Sequence, residues 1–132
     1  MSTRSVLDWL EEAAEAAPQS MAYDGPGGSY TWGALNARAR ETGTFLCALT
    51  KPQQPVLILM EKSPDCLCAM FGAVYAGCFY TPLDSSMPAA RMRLIAESLQ
   101  PAAVLYEEKF GEIARGIAGD AEIGRASCRE RV

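Results

Sequence analysis

Apolar residues fall at Val6, Leu7, Trp9, Leu10, Ala13, Ala14 and Ala17, a helical spacing that predicts an opening amphipathic helix. Ser5 stands where its hydroxyl can accept from the free amides of the first turn, Asp8 complements the positive helix end, and Pro18 marks the stop. Two short segments, Met21 to Tyr23 and Ser29 to Thr31, flank the glycine-rich stretch DGPGG and read as a small β-hairpin. The helical period returns from Trp32 to Leu49, with Leu35, Ala39, Phe45, Leu46 and Leu49 on the apolar side and Arg38, Arg40 and Glu41 toward solvent.

After the breaker KPQQP, Val56 to Met60 is continuously apolar, as a strand buried on both faces of a parallel sheet must be. Ser63 as cap and Pro64 at the first helical position open another helix. It is apolar almost all round through Leu67, Met70, Phe71, Val74 and Tyr75, so other structure must cover it, and Gly77 is placed to end it in a left-handed conformation. A strand at Phe79 to Thr81, a helix at Pro88 to Leu99, a strand at Ala103 to Tyr106 and a helix at Glu107 to Ile117 complete the pattern. Alternating strands and helices predict an α/β fold, a partial parallel sheet with helices on both faces.

The 132 residues are 49% hydrophobic, enough to build the core of one small domain. A net charge of −4 argues against a nucleic-acid surface, which needs clustered Lys and Arg; the basic group Arg125, Arg129 and Arg131 sits at the very end. No apolar run approaches the roughly 20 residues that span a bilayer, and MSTRSVLDWLEE does not read as an export signal, so no membrane partner and a cytoplasmic setting are expected. Cys47, Cys66, Cys68, Cys78 and Cys128 are odd in number, and three lie in strongly apolar surroundings, which fits a reducing compartment.

Candidate chemistry is sparse. Gly25 to Gly28 joins two short strands and carries neither GxGxxG nor a terminal lysine and hydroxyl, so it reads as a hairpin turn rather than a phosphate cradle. Cys66 and Cys68 would lie about 200° apart around a helix and cannot share a metal ion, which leaves core packing. The chain has no histidine, so acid-base work near neutral pH would need a perturbed carboxylate, lysine or cysteine. Asp8, Glu11, Glu12 and Glu15 read as the solvated face of the first helix. Asp84 is the best-placed candidate functional residue, because ligands approach parallel sheets beyond the carboxyl ends of the strands. The simpler reading has Pro82, Asp84, Ser85 and Ser86 shaping a turn and capping the helix from Pro88, with Arg91 and Arg93 exposed or ion-paired.

One ordered set of residues carries more. Tyr30, Thr31 and Leu35, then Ser63 and Pro64, then Ala76, Gly77, Tyr80, Pro82, Leu83 and Asp84, then Pro88, Ala89 and Arg91 follow a family pattern. Over Val6 to Leu105 the chain resembles the N-terminal portion of an adenylate-forming enzyme of the AMP-binding synthetase family, nearest to the amino-acid-adenylation domains of non-ribosomal peptide synthetases. The resemblance implies a parent ligase that uses ATP and Mg to activate a carboxylic or amino acid as acyl-adenylate, for transfer to a carrier-protein or coenzyme A thiol. In that family the phosphates, metal, ribose and acyl phosphate are handled by a Thr/Ser/Gly-rich loop ending in Pro-Lys-Gly, a later acidic ligand, an aspartate and a C-terminal lysine. None of these segments occurs here, so no residue inherits a catalytic, cofactor-binding or metal-binding role and the piece by itself is expected to be inactive and to hold no cofactor.

The ending Glu122 to Val132, EIGRASCRERV, is similar to a translated sequencing adapter. The expected organisation is therefore an incomplete N-terminal subdomain over 1–121 and a non-native tail over 122–132. An incomplete sheet would leave an unpaired edge, and the apolar helix from Ser63 to Tyr75 would lack neighbours, which predicts marginal stability. The alternatives are a small self-contained α/β binding module, in which Asp84 helps hold a ligand, and a docking piece without catalysis.

Overall fold

A computed structural model describes residues 5–25, 28–119 and 121–125. In chain order they form α1 (Val6–Ala16), β1 (Met21–Gly25), β2 (Gly28–Thr31), α2 (Trp32–Leu49), β3 (Pro55–Leu59), α3 (Pro64–Tyr75), β4 (Phe79–Pro82), α4 (Ala89–Leu99), β5 (Ala103–Tyr106), a 3-10 turn (Glu108–Phe110), α5 (Gly111–Ala118) and β6 (Glu122–Arg125). β1 and β2 pair as a separate antiparallel ribbon, and the remaining strands form one parallel sheet in the order β4-β3-β5-β6.

β3 is the hub of this sheet, with Val56 opposite both Tyr80 and Ala103, and Ile58 opposite both Pro82 and Leu105. Alternation along its pleat divides the core in two. Val56, Ile58 and Met60 pack with Leu46 of α2, Ala69 and Ala73 of α3, and Ala103 and Leu105 of β5. Leu57 and Leu59 pack on the other face with Met92 and Ala96 of α4, Val104 and Tyr106 of β5, and Ala114 and Ile117 of α5. Helices thus cover both faces, as the α/β reading expects, and this is why β3 carries no polar residue.

A third cluster lies outside α3, where Leu10, Leu35, Ala39 and Cys68 gather with Tyr30, Trp32, Leu67 and Phe71 around them. It corrects one expectation. No residue of α3 is exposed, because α1, α2 and the β-ribbon cover the side that the sheet does not, so α3 is not the open liability foreseen. α2 and α3 approach closely at two glycines: a Cβ on Gly72 would lie 2.5 Å from the Thr42 Cβ, and one on Gly43 would lie 2.7 Å from the Tyr75 Cβ.

The caps follow the sequence. Ser5 Oγ accepts from the Leu7 and Asp8 amides while Asp8 Oδ2 accepts from the Ser5 amide at 2.9 Å, a reciprocal capping box. Thr31 Oγ1 accepts from the Ala34 amide, and Ser63 Oγ accepts from the Cys66 amide. Gly77 follows α3 with φ of 79°, the left-handed conformation expected there.

Three departures stand out. α1 lies at the margin and buries only Leu10, leaving Val6 and Trp9 exposed although they share the predicted apolar stripe. The predicted helix from Glu107 begins as a 3-10 turn and becomes α-helical only at Gly111. Residues 122–125, expected to belong to a tail, pair with β5 as the parallel strand β6, while residues 126–132 lie outside the described residues. Backbone pairing at an open sheet edge tolerates many sequences, so this strand is compatible with either origin of the ending. Among the described residues, no helix is long and apolar enough to cross a membrane.

Candidate functional site

The chain leaves β3 for β4 on one side and then passes back through α4 to β5 on the other side, so the carboxyl ends of β3 and β5 flank the point where strand order reverses. In open α/β sheets this is where ligands bind. Glu61 and Lys62 follow β3, and Glu107, Glu108 and Lys109 follow β5. The Glu107 amide donates to Leu59 O at 3.3 Å, continuing the ladder, and Glu107 Oε1 accepts from the Glu61 amide at 2.6 Å. Lys109 Nζ lies 2.7 Å from Glu61 Oε1 and 5.5 Å from the Phe110 ring centre. The bond to Glu61 raises the Lys109 pKa, but both side chains are 54% exposed and water screens the pair. At this point Glu107 is folded onto the Glu61 amide and Lys109 is paired with the Glu61 carboxylate.

Asp84 lies one strand away, beyond β4 at the margin of the sheet, not at the reversal point. Leu83 is buried, with its amide on Ile58 O at 2.8 Å, and the chain then turns. Asp84 Oδ1 accepts from the Ser86 amide at 3.0 Å and from Ser86 Oγ at 2.8 Å. Those two bonds, the backbone one first, hold its carboxyl below the ordinary range, so at neutral pH it is an ionised turn former. The expected turn is present; the expected side-chain cap on α4 is not. Pro88 takes the N-cap position with no side-chain bond, and its carbonyl accepts from the Arg91 and Met92 amides. Arg91 and Arg93 are exposed.

Glu11 departs from the solvated face predicted for α1. Its Oε2 accepts from Tyr75 Oη at 2.7 Å and from Arg40 Nη2 at 3.1 Å, while Asn36 Nδ2 donates to Tyr75 Oη at 2.8 Å. Burial and the bond to Glu11 raise the Tyr75 pKa, so the phenol stays protonated and acts as a rivet between α1, α2 and α3. An open groove of about 590 Å³ beside it is lined by Asp8, Glu11, Glu12, Glu15, Asn36 and Arg40. Nothing in this arrangement supplies a nucleophile and base pair.

Cys66 and Cys68 separate as helical geometry requires, Cys66 toward the sheet and Cys68 toward the outer cluster. Burial pushes the Cys66 thiol up, away from the reactive thiolate. Among the described residues, no three His, Cys, Asp or Glu side chains come together as metal ligands.

The motif residues, by contrast, hold structure together. Tyr30 Oη donates to Asp65 Oδ1 at 2.8 Å, and burial first, then this bond, raises its pKa far above the usual tyrosine range. Thr31 and Ser63 cap helices, Leu35 is in the core, and Gly77 turns the chain. Sequence reasoning missed the Glu61, Glu107 and Lys109 cluster, although Glu107 directly follows a buried strand and Glu61 follows another by two residues. It also missed Asp65 and Glu11 as partners of tyrosines, for which local pattern carries no signal.

A scaffold built on these positions has relatives. The family model for AMP-binding enzymes matches residues 10–128, and the chain belongs to that family. It is 30% identical over 118 residues to a nonribosomal peptide synthetase of Aspergillus aculeatus, covering 89% of this chain and 8% of that protein. It is 27% identical over 112 residues to the D-alanine--D-alanyl carrier protein ligase of Listeria welshimeri, covering 83% of this chain and 22% of that protein. The N-terminal domain of FACL13 from Mycobacterium tuberculosis superposes with a TM-score of 0.84 at 22% identity, over 94% of this chain and 34% of that one, and so shares the fold. The chain thus spans less than a quarter of the length of either of these two relatives.

Proposed function

We propose that residues 1–121 are N-terminal scaffold of an ATP-dependent ligase that activates a carboxylic acid, an amino acid in the first instance, as an acyl-adenylate. The acceptor would be a carrier-protein or coenzyme A thiol. The observation that carries this reading is the family match over residues 10–128 together with the structural duty of the motif positions: Tyr30 on Asp65, Thr31 and Ser63 as caps, Gly77 as turn. Relatives whose names specify peptide synthesis and D-alanyl carrier ligation favour an amino acid over other acids.

ATP and Mg belong to the whole ligase. Phosphoryl chemistry needs convergent donors and a cation. The reversal point of this sheet offers instead a bonded Glu61, Glu107 and Lys109 cluster, and Asp84 is engaged by Ser86. On this reading these residues serve as scaffold and are inactive alone, and the proposal includes a cytoplasmic setting for the ligase. The same reading assigns 1–121 to the opening subdomain and 122–132 to a non-native tail, which reading the gene across codon 122 checks.

The test is a hybrid in which residues 6–105 replace the matching segment of the D-alanine--D-alanyl carrier protein ligase. D-alanine-dependent ATP-pyrophosphate exchange should survive within about tenfold, a barrier change of roughly 1.4 kcal/mol. A cooperatively folded hybrid without exchange would contradict the assignment.

A further inference from the structure

We draw no further inference here: the strongest candidate, the outer edge of β4 with its exposed Phe79 and Tyr80, carries nothing because nothing in the structure shows what covers it.

Discussion

Tyr30 Oη donates a 2.8 Å hydrogen bond to Asp65 Oδ1, joining the β-ribbon to the first turn of α3. The bond is half-buried and its acceptor is charged, so it outweighs a surface contact. Tyr30→Phe should lower unfolding free energy by about 1–2 kcal/mol, read as a shifted urea midpoint at unchanged slope. A shift below about 0.3 kcal/mol would mean that the pair is incidental.

Gly72 makes the second prediction, because an added methyl would overlap the Thr42 Cβ on a packed helix rather than a flexible side-chain end. Gly72→Ala should cost roughly 1–3 kcal/mol through overpacking. Gly116 is the control: it is exposed on α5, and an added Cβ would come no closer than 3.9 Å to Arg93. Gly116→Ala should therefore stabilise by about 0.5–1 kcal/mol through helix propensity. Equal effects at the two sites would refute the close crossing of α2 and α3.

Alkaline pH tests the two half-buried phenols. Tyr30 and Tyr75 both have raised pKa values in the folded state, from burial and from bonds to carboxylates. The unfolded chain releases these protons near pH 10 while the folded chain keeps them. Their stabilisation is thus complete below about pH 10 and is lost as pH rises toward the folded values, with Cys66 adding a share of the same sign from the thiol range upward. Urea midpoints from pH 8 to 11 should fall, and the Y30F/Y75F double variant should flatten the fall. An unchanged slope in that variant would assign the loss to other groups.

Glu107 bridges the two strand ends at the reversal point of the sheet by accepting from the Glu61 amide. Glu107→Ala should cost about 1 kcal/mol and speed hydrogen exchange at that amide, whereas Glu107→Gln keeps an acceptor oxygen and should lose less than half as much. Exchange at Glu61 that ignores both substitutions would show that this bond is not formed in solution.

Much of the fold was legible because its signals are local. The boundaries of α2 and β5 coincide with the periodic segments, and Ser5, Ser63 and Gly77 announce helix ends through their own chemistry. Burial of α3 was readable as a need for cover but not as its source, since Leu10, Leu35 and Tyr30 reach it only through tertiary packing. Position at the sheet margin was hidden too. Asp84 follows an outer strand and Glu107 a central one, yet each simply follows a short apolar segment, so strand order alone separates them. Trp9 shows the converse: helical spacing placed it inward, but α1 lies over too little structure to bury it.

We propose that these residues form scaffold and that the groups that handle phosphate lie elsewhere in the ligase. Calorimetric titration of the purified 132-residue chain with ATP and Mg, alongside amino-acid-dependent ATP-pyrophosphate exchange, tests it most directly. No heat of binding is expected up to millimolar nucleotide, a standard free energy weaker than about −4.1 kcal/mol, and no exchange. Micromolar binding, or exchange above a protein-free control, would contradict it.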